Sequence, residues 1–139
     1  IAVLKDTAER ERRVALTPDA VKRLTGGGAG GGHAVVVERG AGANAYFADA
    51  LYEAAGAELA PDAASAAAGA DLVARVQRPT PDQVALLPEG AALVAMLQPP
   101  PGVAWADDAS VRALAERGVT AFALERVPRI TRAQSMDVL

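Results

Sequence analysis

Short apolar segments that alternate with helix-forming segments constrain the fold of this chain more than any other feature. Each apolar segment is short and continuous, which is typical of a strand buried on both faces of a sheet. The five predicted strands are residues 1–4, 33–38, 71–77, 91–97 and 119–125. Their alternation with helices predicts a parallel sheet with right-handed crossovers. We therefore expect an α/β fold, a doubly wound parallel sheet of about five strands of the flavodoxin or Rossmann type.

Two predicted helices begin with the same tripeptide, Thr-Pro-Asp, at residues 17–19 and 80–82. The threonine caps the helix, the proline suits the first helical position, and the aspartate favours the positive end of the helix dipole. Gln83 completes a capping box with Thr80. Further helices are predicted from Asp49 to a stop at Gly56, over 62–70 and over 107–118. These helices lie between the predicted strands, as the alternation requires.

Charge and composition exclude several classes of function. The formal net charge is −3 and the basic residues are scattered, so no nucleic-acid partner is expected. The sequence has no cysteine, which excludes disulfides and thiolate chemistry. No apolar run approaches the roughly 20 residues that a membrane helix needs. The single histidine, His33, lies at the amino end of its strand, opposite the edge where ligands bind, so we expect neither a metal site nor a hydrolase triad.

Two glycine-rich segments resemble phosphate-binding loops only superficially. Residues 26–32 lead from a helix into a strand, whereas phosphate-binding loops lead from a strand into a helix. Residues 40–45 match the pattern G-x-G-x-x-G/A, but they follow the second strand and the next helix begins late, at Asp49. We therefore interpret both segments as turns.

The candidate functional residues follow strands, at the carboxyl edge of the predicted sheet. Arg13 is able to hold a carboxylate or phosphate in a bidentate fork, or to lie in a solvated loop. After the last strand, Thr131 and Gln134 fit a second capping box. Arg129 and Asp137 have no part in that cap and are close enough to pair. Such a pair beside a helix N-terminus suits an amide and ribose hydroxyls, so the residue types leave both a helix cap and a binding site open.

Four segments resemble, in order, the N-terminal region of the alanine dehydrogenase and nicotinamide nucleotide transhydrogenase superfamily. They are residues 13–24, 33–59, 70–79 and 128–137, and the resemblance runs over essentially the whole chain. The last segment, PRITRAQSMD, is similar to a loop of the transhydrogenase branch. The resemblance implies that Arg129 and Asp137 anchor the nicotinamide amide and ribose of NAD(H). It also implies that Gln134 reaches toward NADP(H) on a partner domain, so these three are the expected catalytic and cofactor-binding residues.

The two branches of the superfamily differ in their chemistry. Alanine dehydrogenases resemble this chain but place a lysine after the third strand and a histidine after the fourth, and amino-acid oxidation requires such a general acid or base. The corresponding positions here are Gln77 and Gln98. Direct hydride transfer between two nicotinamides needs only positioning and the exclusion of water. We therefore predict a transhydrogenase; the alternatives are an alanine dehydrogenase-like amino-acid dehydrogenase and a catalytically silent domain that binds a nucleotide or a partner.

The resemblance also implies a larger assembly. Residues 1–139 correspond to the N-terminal subdomain of the NAD(H)-binding component, truncated before the NAD-binding Rossmann domain. The fragment alone is expected to be inactive and to bind NAD(H) poorly. The intact protein is expected to be a homodimer that works with NADP(H)-binding and membrane-spanning transhydrogenase components and couples hydride transfer to proton translocation. Its implied location is cytoplasmic, peripheral to the inner membrane through those partners.

Overall fold

The computed structural model describes residues 1–137 as a parallel sheet with helices on both faces. The strands are β1 (Ala2–Val3), β2 (Val36–Glu38), β3 (Glu58–Ala60), β4 (Leu72–Ala74), β5 (Ala92–Ala95) and β6 (Thr120–Ala123). The α-helices are α1 (Pro18–Thr25), α2 (Asp49–Ala54), α3 (Ala63–Ala67), α4 (Pro81–Val84) and α5 (Ala109–Glu116). The strand order is β3-β2-β1-β4-β5-β6, so the direction of winding reverses between β1 and β4. The predicted doubly wound parallel sheet is therefore confirmed.

The predicted number of strands, about five, is one too few. The additional strand, β3, pairs in parallel with β2, with Val36 opposite Glu58 and Glu38 opposite Ala60. It follows Gly56, whose φ of +94° turns the chain out of α2. Within this three-residue edge strand only Ala60 is buried. The segment therefore lacks the continuous apolar run by which the other strands are recognised.

The predicted starts of α1, α2 and α4 are present in the structure. Thr17 Oγ1 accepts the Ala20 N–H at 3.3 Å and so caps α1. Thr80 and Gln83 form the predicted capping box of α4. The helix α2 begins at Asp49, as the sequence indicates. Among residues 1–137, none of the helices is long and apolar enough to cross a lipid bilayer.

The segment that matches the dinucleotide-binding pattern is a turn that leads into a short 3₁₀ helix, Ala43–Ala45. The Asp49 carboxylate accepts the Gly40 N–H at 2.9 Å, which ties the turn to the start of α2. A Cβ added at Gly42 would lie 2.7 Å from Cε2 of Tyr52, a fully buried side chain. Packing against Tyr52 thus explains the glycine at position 42 without a ligand.

The two faces of the sheet are covered unequally. On one face α1 and α2 pack over β1 to β3, around Val37 and Tyr52. On the opposite face α3, α4 and α5 pack around Val73 and Leu93. Beside α1 on the first face, an apolar groove of about 500 Å³ lies open over β4 and β5. Phe122 of β6 is 57% exposed. No described helix covers this apolar half of the first face.

Candidate functional site

Two groups of polar side chains lie at the carboxyl edge of the sheet. The first, called here the switch-point cluster, follows β1 and β4 and comprises Asp6, Glu11, Arg13, Arg75 and Gln77. The second, called the terminal stretch, follows β6 and comprises residues 129–137. Ligands of doubly wound sheets bind outside the carboxyl ends of the strands, so both groups are candidate sites.

Asp6 joins the segment after β1 to the segment after β4. Its carboxylate accepts the Val76 N–H at 2.8 Å and the Gln77 N–H at 2.9 Å. Arg75 Nη2 lies 3.4 Å from Asp6 Oδ1, and both side chains are almost fully buried. Burial lowers the pKa of Arg75, and the negative charge of Asp6 counteracts part of that shift. The Asp6–Arg75 pair therefore faces the protein interior and holds the two segments together.

Glu11 occupies the guanidinium fork of Arg13. Glu11 Oε1 accepts the Arg13 Nε–H at 2.9 Å, and Glu11 Oε2 accepts an Arg13 Nη2–H at 2.8 Å. Gln77 Nε2 donates to the same carboxylate at 2.5 Å. The hydrogen bonds from Arg13, assisted by the one from Gln77, lower the pKa of Glu11 to about 2 in spite of its burial. The bidentate fork considered for Arg13 therefore exists, but it holds a carboxylate of the protein itself.

Sequence reasoning missed Glu11. This residue is one of several charged side chains in the run from Glu9 to Arg13, and no spacing rule singles it out. Its role emerges only because the segments after β1 and β4 meet, which brings Gln77 against it. Only the topology could have indicated this contact, since the segments after β1 and β4 are neighbours at the point where the strand order reverses.

The three residues expected to contact the nicotinamide nucleotides lie in the terminal stretch. Arg129 Nε is 3.5 Å from Asp137 Oδ2, so the expected pair is present. The Arg129 and Asp137 side chains remain 64% and 37% exposed. Gln134 is also exposed. The terminal stretch thus presents a guanidinium, a carboxylate and an amide to solvent.

The predicted capping box of Thr131 and Gln134 is wrong. Thr131–Met136 is a 3₁₀ helix whose N-cap is Ile130, and no side chain among the described residues caps it. Its first turn is closed by the backbone, because the Ala133 N–H donates to the Ile130 carbonyl at 2.9 Å. Gln134 therefore has no capping role. The end of the predicted helix, residues 138–139, lies outside the described residues.

The topology defines the class of the chain as a doubly wound α/β domain with polar residues at the carboxyl edge of its sheet. The sequence profile described as alanine dehydrogenase/PNT, N-terminal domain, matches residues 2–139. The chain therefore belongs to this family, and the family resemblance inferred from the sequence is confirmed.

Relatives from both branches match the chain. It is 44% identical to an NAD(P) transhydrogenase subunit alpha polypeptide of Rhodospirillum rubrum, over 100% of the chain and 35% of that protein. It is 37% identical to alanine dehydrogenase of Halomonas elongata, over 91% of the chain and 32% of that protein. The crystal structure of transhydrogenase from Sinorhizobium meliloti superposes with a TM-score of 0.84 at 39% identity, covering 99% of this chain and 38% of that one. The chain thus spans about a third of these relatives and is similar to the N-terminal region of transhydrogenase alpha subunits.

Proposed function

We propose that this chain is the N-terminal subdomain of the NAD(H)-binding component of a proton-translocating NAD(P) transhydrogenase. In this role the terminal stretch positions NAD(H) for direct hydride transfer to NADP⁺. The observation that carries the proposal is the exposed Arg129–Asp137 pair, with the exposed Gln134 in the same short segment. Because no described side chain caps the 3₁₀ helix, helix capping does not account for these polar residues.

The chemistry of the pair fits the nicotinamide half of a nucleotide. A carboxamide and ribose hydroxyls offer both donors and acceptors, whereas a guanidinium only donates and a carboxylate only accepts. Arg129 would bind the carboxamide oxygen, and Asp137 would accept from the amide or from a ribose hydroxyl. The 3.5 Å separation lets the two opposite charges offset each other beside an uncharged ligand group. When bound, NAD(H) supplies the hydride.

The side chain of Gln134 suits a different task. A neutral amide both donates and accepts hydrogen bonds. In the proposed complex Gln134 would reach from the terminal stretch toward NADP(H) on the partner domain. Its exposed side chain is compatible with contact to a second protein. Since the Thr131–Gln134 capping box is absent from the 3₁₀ helix, helix capping does not explain this residue.

The switch-point cluster supports hydride transfer over amino-acid oxidation. Gln77 stands where the resemblance places the lysine of alanine dehydrogenases, and its amide donates to Glu11. Gln98 stands where the resemblance places the histidine of alanine dehydrogenases, and its side chain is exposed. Neither amide can act as a base at neutral pH, and a Glu11 carboxyl whose pKa is about 2 is a weak base. Gln77 and Glu11 of the cluster, together with Gln98, therefore support a reaction without proton abstraction.

The rest of the proposed protein lies beyond this chain. We infer that further residues supply a Rossmann domain for the adenosine and pyrophosphate groups, and that they cover the apolar groove over β4 and β5. The share of the relatives that this chain matches, about a third, supports this inference. The intact component would be a homodimer that meets NADP(H)-binding and membrane-spanning components at the cytoplasmic side of the inner membrane. The subdomain alone would bind NAD(H) weakly and would be inactive.

The test uses the full-length polypeptide mixed with an NADP(H)-binding component, and follows hydride transfer from NADH to an NADP⁺ analogue. Arg129→Ala should weaken NADH binding and slow transfer by about 10–100-fold, because the nicotinamide loses its fixed position. Gln134→Asn should slow transfer with little change in NADH affinity. Arg132→Ala, which removes a neighbouring exposed arginine, is the matched control and should keep the wild-type rate. Wild-type protein that instead consumes NADH with pyruvate and ammonia would contradict the proposal in favour of the alanine dehydrogenase alternative.

A further inference from the structure

The base of the terminal stretch is tied to the sheet by a side chain. After β6 the chain forms a 3₁₀ turn, Leu124–Arg126, before it reaches Arg129. Within that turn both carboxylate oxygens of Glu125 accept the backbone N–H of Leu97, each at 3.1 Å. Leu97 lies two residues beyond the end of β5. Glu125 thus connects the start of the segment that carries Arg129 to the end of the neighbouring strand.

The Leu97 N–H needs this acceptor because the ladder between β5 and β6 has already ended. The last pair of that ladder is Ala95 with Ala123. The Met96 N–H donates toward β4, to the Val76 carbonyl at 2.9 Å, so the next N–H along the chain points toward β6. Beyond Ala123 the backbone has turned away from the sheet. The Glu125 carboxylate takes the place of the missing strand carbonyl, with a hydrogen bond strengthened by its charge.

A second contact connects the same turn to the loop after β5. The Arg126 guanidinium carbon lies 5.9 Å from the centre of the Trp105 ring, within the range of a cation–π interaction. Pro128 then restricts the backbone immediately before Arg129. The chain between Glu125 and Arg129 is therefore short and conformationally restricted. Because of this, the position of Glu125 restricts where Arg129 and the start of the terminal stretch lie.

We propose that Glu125 is a positioning residue for hydride transfer: by holding the Leu97 N–H it sets where the terminal stretch presents Arg129, Gln134 and Asp137. This inference rests on the proposed function, since positioning has meaning only if these side chains contact the nucleotides. Glu125 itself lies at the base of the stretch and acts through the residues that follow it. A displacement of about 1 Å at a reacting group is enough to cost about 100-fold in rate.

The experiment measures single-turnover hydride transfer at saturating nucleotide in the full-length polypeptide with its NADP(H)-binding component. Glu125→Ala should slow transfer by at least about 10-fold while the Kd for NADH changes much less, because ring placement suffers more than binding. Glu125→Gln keeps a carbonyl oxygen that accepts the Leu97 N–H and should restore most of the rate. Hydrogen exchange at Leu97 should accelerate in the alanine variant and return toward wild type in the glutamine variant.

Asp62→Ala is the matched control, because Asp62 also accepts a backbone N–H, that of Ser65 at 2.7 Å, at the far end of the sheet. This variant should lose stability yet transfer hydride at the wild-type rate. Wild-type rates in Glu125→Ala, or equal slowing in Glu125→Ala and Asp62→Ala, would overturn the inference while leaving the proposed function intact. If the wild-type protein transferred no hydride at all, the proposed function itself would be wrong. Failure of the inference and failure of the proposed function are therefore distinguishable.

Discussion

The switch-point cluster and the terminal stretch lie at the same edge of the sheet, yet they use their charges in opposite ways. In the cluster, Asp6 and Arg75 are paired with almost no exposed side-chain surface. In the terminal stretch, Arg129 and Asp137 are paired with both side chains largely or partly in solvent. Buried charges require partners within the protein, whereas exposed charges are stable in water and remain accessible to a ligand. The comparison separates polar residues that build the domain from polar residues suited to recognition.

The largest effect is expected from Asp6→Ala. This change leaves Arg75 as a buried charge without its counter-charge and removes the acceptor of the Val76 and Gln77 N–H groups. The free energy of unfolding should fall by about 3–5 kcal/mol, as measured by urea unfolding. Asp6→Asn keeps one acceptor oxygen and should lose less. Near-wild-type stability of the alanine variant would show that the cluster does not hold the two segments together.

A smaller, pH-dependent effect is expected from Glu11→Gln. The pKa of Glu11 is lowered from 4.5 to about 2, so Glu11 contributes stability above about pH 4.5 that is lost as the pH falls toward 2. After allowance for the half-exposed Arg13 partner, the contribution is about 2 kcal/mol. The free energies of unfolding that urea titrations give at neutral pH and near pH 3 should therefore differ less for the variant than for the wild type. An unchanged pH dependence would argue against the Glu11–Arg13 fork.

The two threonines of the predicted capping boxes offer a matched pair. Thr80→Ala removes a cap that the structure contains and should cost about 1 kcal/mol of unfolding free energy. Thr131→Ala removes no cap and should change stability by less than about 0.5 kcal/mol. Thermal unfolding of both variants and the wild type measures the two losses of stability. Equal losses would restore a capping role for Thr131 and weaken the case for the terminal stretch as a binding segment.

The smallest effect on folding is expected from Arg129→Ala. An ion pair with this much exposure is screened by solvent and contributes about 0.5 kcal/mol or less. We therefore expect an almost unchanged unfolding midpoint together with a large loss of hydride transfer. A loss of stability comparable with that of Asp6→Ala would place Arg129 among the structural charges and erase the difference between the two regions.

The sequence predicted most of what depends on local patterns. The Thr-Pro-Asp helix starts and the main buried strands have clear signals, because capping and continuous apolar runs are local properties. The missed strand β3 has only one buried residue, Ala60, so its pairing with β2 depends on tertiary context. The contact of Gln77 with Glu11 could not be predicted either, since it joins segments more than sixty residues apart in sequence. At Thr131 the sequence fits a capping box, but the prediction is wrong because the backbone adopts a 3₁₀ helix whose N-cap position is Ile130.

The most direct test of the central claim is an isotope experiment on the full-length polypeptide with its NADP(H)-binding component. NADH that carries deuterium at the transferring position of the nicotinamide is oxidised in the presence of an NADP⁺ analogue, and the reduced product is analysed by mass spectrometry. Direct transfer positioned by Arg129, Gln134 and Asp137 predicts that the deuterium appears in the product without dilution by solvent protons. Deuterium-free product, or oxidation of NADH that requires pyruvate and ammonia, would contradict the account.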